Sequence, residues 1–226
     1  MNSTTKTERP RAKVGEAAQA EPPRDCPRCP RLVAFRHQWR AKEPHWFNAP
    51  VHSFGPLDAR LLVVGLAPGL RGANRTGRPF TGDYAGDLLY PTLIEYGFAN
   101  GHYDERVDDG LAMVDARISN AVRCVPPENK PTTPEIRTCN DFLKAEIAAM
   151  PKLRCLVTLG RIAHDAAVMA LGSKRSAFKF AHACRHEVAG IALFNSYHCS
   201  RYNTNTGVLT TDMFRDVFAK ARAYLG

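Results

Sequence analysis

Four short apolar runs, Leu61–Gly65, 118–122, Cys155–Leu159 and 191–195, alternate with stretches of helical pattern, and this alternation constrains the fold most. Runs this short, bounded by turn residues, read as strands buried on both faces. Helices are expected at 84–96, 134–150, 161–171 and Thr211–Leu225. Thr133 is the expected N-cap of the second helix with Pro134 at its first position, and Gly172 stops the third. The alternation implies an α/β fold: one three-layer domain around a central, mostly parallel sheet of four strands, flanked by helices. Such sheets bind ligands beyond the carboxyl ends of their strands, so the loops leaving Gly65, Leu159 and Asn195 matter most.

The chain has 226 residues, enough for one domain with a substantial core. Residues 1–24 are polar, charged and proline-containing, and are expected to be a disordered tail before a domain spanning 25–226. No apolar run approaches the ~20 residues of a membrane helix, and no secretory signal is legible. The 31 basic and 22 acidic side chains leave a net charge of +9, which suits a polyanionic partner without requiring one.

The 7 cysteines, without a secretory signal, read as thiols or metal ligands. Cys155 sits in an apolar strand and is expected to be a buried small hydrophobe, as are Cys184 and Cys199. Cys26 and Cys29 form a Cys-x-x-Cys pair; Cys124 and Cys139 are separated by fourteen residues, 125–138. Spacing alone leaves two readings of the second pair, unrelated core cysteines or half of a four-thiolate site, and does not choose between zinc and iron–sulfur.

The stretch from Gly65 to Asp83 holds five glycines and two prolines in nineteen residues, a shaped loop between strand and helix. Glycines there let backbone N–H groups approach a ligand. Neither a P-loop nor a dinucleotide fingerprint fits. Arg71, Arg75 and Arg78 suit phosphates, Phe80 offers a stacking face, and Asp83 stands where it would cap the next helix. After the fourth strand, residues 196–207 gather hydroxyls, amides, His198 and Arg201 at the ligand-binding edge; His198 reads equally as a hydrogen-bonded structural histidine or a functional one.

Together, GLAPG at 65–69, GRPFTGD at 77–83, SNAVRC at 119–124 with PPENKPTTPE after it, LGRIAH at 159–164 and SYHCSRYNT at 196–204 resemble the uracil-DNA glycosylase superfamily, most of all its family 5, the bacterial and archaeal type. The resemblance covers residues 26 to about 224. It implies hydrolysis of the N-glycosidic bond of uracil in DNA, after the nucleotide is turned out of the duplex. It implies that Cys26, Cys29, Cys124 and Cys139 hold a structural 4Fe-4S cluster. It further implies backbone contacts to the base from Gly65, Ala67 and Gly69, stacking on Phe80, edge reading by Asn120, and DNA contacts from Arg75, Arg78, Arg161, Arg201 and Tyr202. His198 would donate to the base as negative charge builds there, and Asp83 would handle water. Apolar Leu66 and Ala67 stand where other families place a polar side chain, which implies wider acceptance, including hypoxanthine. The expected setting is the cytoplasm, at the nucleoid, as a monomer on damaged DNA. Two alternatives remain: a damage-binding module that does not cleave, and a zinc-stabilised enzyme acting on a phosphate ligand.

Overall fold

A computed structural model describes residues 20–226. The elements, in order, are α1 (Pro30–Lys42), β1 (Leu61–Gly65), α2 (Ala73–Thr76), α3 (Tyr84–Glu95), β2 (Ala99–Asn100), β3 (Ala112–Met113), β4 (Ala116–Asn120), α4 (Thr133–Ala149), β5 (Cys155–Leu159), α5 (Arg161–Ala170), β6 (Arg185–Val188), β7 (Ile191–Ser196), α6 (Arg201–Asn205) and α7 (Thr211–Leu225). The main sheet has five strands in the order β4-β1-β5-β7-β6. The four expected strands pair in parallel, and β6 adds an antiparallel edge. β6 reads Arg-His-Glu-Val, an exposed-edge composition without an apolar run, so periodicity does not announce it.

Residues of β1, β4, β5 and β7 are buried on both sides of the sheet, because helices cover both faces. On one face Leu61, Val63, Ile118 and Val157 pack with Leu89 and Leu93 of α3 and Phe214 and Phe218 of α7. On the other, Leu62, Val64, Leu156 and Leu193 pack with Leu143 and Ile147 of α4 and Ala163 and Ala167 of α5. The three layers are those expected. Among the described residues no helix is long and apolar enough to cross a membrane.

Three boundaries shift for physical reasons. β4 begins at Ala116, two residues before the apolar run, because Arg117 is buried in it with its charge matched. The N-cap of α4 is Thr132, not Thr133. Thr132 Oγ1 accepts from the Glu135 N–H at 3.4 Å and Glu135 Oε2 accepts from the Thr132 N–H at 2.7 Å, a capping box. Residues 20–24 are no tail: Ala20 is 1% exposed and Glu21 pairs with Arg117 and Arg123. The rest of the expected tail, 1–19, lies outside the described residues.

Glu146, on α4 and fully buried, collects Arg117 Nε at 2.6 Å, Arg123 Nη2 at 2.6 Å and Ser119 Oγ at 2.7 Å. Burial opposes its charge, but the two arginines outweigh burial and hold its carboxyl below the usual range. Glu21 completes the network at 2.8 Å from Arg117 and 3.0 Å from Arg123. Removing one partner of a buried pair strands the other charge in low dielectric. Glu146→Ala is therefore expected to lower unfolding free energy by about 3–5 kcal/mol in denaturant titration. A loss under about 1 kcal/mol, as for a surface pair, would contradict this account of the network.

Candidate active site and cysteine cavity

The carboxyl ends of β1, β4, β5 and β7 open into one cleft. Register places Gly65 directly beside Asn120. The cleft is lined by Ala67 and Gly69 after β1, Phe80 and Asp83 before α3, Asn120 at the end of β4, Arg161 after β5, and His198 and Arg201 after β7.

Close approach at two glycines shapes it. A Cβ on Gly65 would lie 2.4 Å from Asn120 Oδ1 and 2.5 Å from Phe80 Cζ, so only glycine lets both side chains converge. A Cβ on Gly72 would lie 2.4 Å from Asp83 Oδ2, so the carboxylate packs against the glycine-rich loop. Phe80 has φ +53°, a conformation costing a bulky residue about 1–3 kcal/mol. Its ring faces His198 with centroids 6.2 Å apart and planes 27° apart.

Asn120 is 3% exposed, and among the described residues its buried Oδ1 acceptor has no partner. Among the described residues the buried His198 Nδ1 has no partner either. Burial pulls the His198 pKa down to about 4, so the imidazole is neutral at physiological pH. Asp83 accepts from the Ala85 N–H at 3.2 Å as N-cap of α3. Burial raises its pKa, with Asp87 and Glu105 adding to the shift against the backbone N–H bonds of Ala85 and Gly86. It is therefore both the helix cap and a carboxylate displayed in the cleft.

A second, smaller cavity lies between α1, residues 122–124 and α4, and Cys26, Cys29, Cys124 and Cys139 all line it. The Arg123 N–H donates to Cys139 Sγ at 3.3 Å and Arg36 Nη1 to Cys124 Sγ at 3.7 Å. Burial pushes the Cys124 thiol up to about 12 and Cys139 to about 11. Among the described residues no three His, Cys, Asp or Glu side chains gather as a single metal ion would need. Cys155 and Cys199 are buried in the main core as expected, but Cys184, just before β6, is only half-buried, its thiol against the Arg185 carbonyl and His186.

The sequence profile of the Uracil DNA glycosylase superfamily matches residues 52–222. The type-5 uracil-DNA glycosylase of Thermus thermophilus is 43% identical over 208 residues, 89% of this chain and 94% of the relative. That of Pyrobaculum aerophilum is 39% identical over 206 residues, 89% and 90% of the two chains. A type-4 uracil-DNA glycosylase of Thermotoga maritima is 39% identical over 94 residues, 41% of each. The chain belongs to the uracil-DNA glycosylase superfamily.

In this uracil-DNA glycosylase fold, Ala67, Gly69, Phe80, Asp83, Asn120, Arg161, His198 and Arg201 meet in one cleft, with Gly65 beneath Phe80 and Asn120. Arg75 is exposed outside the lining, and Tyr202, 74% exposed, stands on α6 next to Arg201. Arg78 requires correction: it is 6% exposed, its guanidinium is bonded to Asp109, and it is not free to contact DNA. The sequence reading missed Tyr84, Asn129 and Ser200 as lining residues. For Tyr84 a signal was available, since it follows Asp83 at the start of the helix; its ring lies 5.4 Å from the Arg201 guanidinium.

The raised pKa of Asp83 carries a sign for stability. Ionisation opposes folding, so the contribution is complete below the unfolded value and is lost as pH rises through the folded one. Asparagine caps as well as aspartate and carries no charge. Asp83→Asn is thus expected to melt no lower than the parent at neutral pH, with any gain shrinking at acidic pH. A variant that melts lower at neutral pH and equals the parent in acid would contradict the assignment.

Proposed function

We propose that this chain excises uracil from DNA by hydrolysing the N-glycosidic bond and leaving an abasic site. The observation that carries the reading is the unpartnered Oδ1 of Asn120, a buried acceptor at the floor of a cleft walled by Phe80. A buried acceptor without a donor is costly in a sealed site. Uracil supplies the missing N–H from its pairing edge, whereas cytosine presents an acceptor at the same ring position. The type-5 relatives are named for action on the same base.

The base enters the cleft after extrusion from the duplex and stacks on Phe80. The C1′–N1 bond breaks with its electron pair going to the base. Negative charge gathers on the base carbonyls and positive charge on the sugar. Neutral His198 donates a hydrogen bond to O2, and backbone N–H groups of the loop from Gly65 through Ala67 to Gly69 serve the same face. Asp83, ionised above its raised pKa, stabilises the sugar cation and orients water. Water bonds C1′ and its proton ends on the base, so the products are uracil and an abasic sugar. Arg75, Arg161, Arg201 and Tyr202 meet the DNA, and the N-terminus of α5 at Gly160 receives a phosphate. Apolar Leu66 and Ala67 leave part of the base edge unread, and hypoxanthine, which also carries an N–H beside a carbonyl, is a second substrate.

We assign the four thiols to a 4Fe-4S cluster. Four cysteines line one cavity, a donor set that suits a cluster, and the resemblance to family 5 favours iron–sulfur over zinc. The Arg123 N–H and the Arg36 guanidinium favour the thiolate forms that buried free thiols resist. Bound there, the cluster supplies a covalent brace between the Cys26–Cys29 segment, the end of the β4 extension and α4. We place the enzyme as a monomer at the nucleoid of a bacterial or archaeal cytoplasm.

Under single-turnover conditions with a uracil-containing oligonucleotide, the parent is expected to generate alkali-labile sites. His198→Ala and Asp83→Asn are each expected to lose about 10²–10³ in rate while still binding the oligonucleotide. Oligonucleotide binding by the parent without alkali-labile sites would support a non-cleaving damage binder instead. Variants cleaving near the parent rate would remove these two residues from the chemistry.

Cys139→Ser is expected to lose iron and the brown visible absorbance, and Cys155→Ser to retain both. Full iron in Cys139→Ser, or zinc in place of iron in the parent, would overturn the cluster assignment.

A further inference from the structure

The segment 78–81 carries Phe80 to the wall of the cleft, yet it belongs to no strand or helix. Its carbonyls are held by side chains instead. The Thr76 hydroxyl reaches the carbonyls of Arg78 and Thr81, Tyr90 donates to that of Pro79, and Tyr103 donates to that of Phe80 at 3.1 Å. At its start, Arg78 donates to Asp109 through both terminal nitrogens, at 2.8 and 2.6 Å, and through Nε to Thr81 Oγ1 at 2.7 Å. The rings of Phe54, Tyr90 and Tyr103 surround the guanidinium at 5.4 to 5.8 Å. The same tyrosines therefore cage the arginine and bond the backbone on either side of Phe80. Asp109 is itself fixed, accepting from the N–H groups of Asp104 and Leu111.

Phe80 needs such a frame. Its φ of +53° is one a bulky side chain leaves unless its surroundings forbid it. Gly65 clears space for the ring but does not hold it there.

We propose that the Arg78–Asp109 pair and its tyrosine cage are a positioning device that holds Phe80 in its left-handed conformation and thereby sets affinity for the excised base. The inference rests on the base-excision reading, because it assigns the cleft to a flipped base. Arg78 and Tyr103 touch no base; they act through the ring of Phe80. A pair serving only the fold would change melting temperature without its effect on base affinity depending on Phe80.

The test is a double-mutant cycle read as affinity for free uracil by equilibrium dialysis, with thermal melting measured beside it. Tyr103→Phe deletes one hydroxyl and no charge, so it spares the fold. Arg78→Lys keeps the charge and loses the two-pronged geometry. Tyr103→Phe is expected to weaken uracil binding about fivefold, the equilibrium effect of one neutral hydrogen bond. Arg78→Lys should cost about tenfold, in the range of a charge-assisted bond. In a Phe80→Leu background neither should weaken it further. Equal losses in both backgrounds, or none in the parent background, would overturn the proposal. If the parent itself neither binds uracil nor releases it from DNA, the excision reading fails and this inference with it. If the parent does both and the cycle is additive, the inference fails alone.

Discussion

The carboxylate of Glu146 is the constraint on which both functional regions depend. It projects from α4 and gathers Arg117 and Ser119 from β4 and Arg123 from the chain just beyond it. Asn120 and Cys124 flank that stretch, one at the floor of the cleft and the other on the cysteine cavity. α4 itself brings Cys139 to the same cavity. Glu21 closes the network from the segment that leads to Cys26. The buried Glu146, the half-buried Glu21 and two buried arginines thus fix the strand that ends at Asn120 and the cysteine cavity to one frame. Such a network is conditionally stable, since each charge is tolerated only while its partners remain.

The sheet then does the assembling. Parallel strands deliver their carboxyl ends to one edge, so residues far apart in sequence meet without a long connection. Gly65 and Asn120 meet by register, while Asp83 and His198 arrive on loops. Burial gives those two side chains opposite shifts: it disfavours the Asp83 carboxylate and the His198 imidazolium alike, leaving an acid of raised pKa in the same cleft as a neutral imidazole. In the reaction we propose, a neutral donor facing the base and a carboxylate facing the sugar match the charges that separate as the glycosidic bond breaks.

Much of this was legible in the sequence, and the exceptions share a cause. The four parallel strands declare themselves because burial on both faces demands unbroken apolar runs. β6 is an edge strand and α1 mixes apolar with charged residues, so neither carries a periodic signature. Glu21 read as part of a polar tail because sequence does not reveal that Arg117 and Arg123 wait for it inside the fold. Arg78 read as a phosphate contact for the same reason: a positive charge in a glycine-rich loop looks solvent-facing until its partner, Asp109, is found thirty-one residues on. The cleft residues were accessible through their motifs, but the unpartnered state of Asn120 Oδ1 is a property of the folded chain alone.

The most direct measurement is a crystal structure of Asp83→Asn bound to a duplex with one uracil. The account predicts the uracil outside the stack, its ring against Phe80, its N–H on Asn120 Oδ1 and its O2 facing His198. A uracil still paired within the duplex, or lodged away from Phe80 and Asn120, would contradict it.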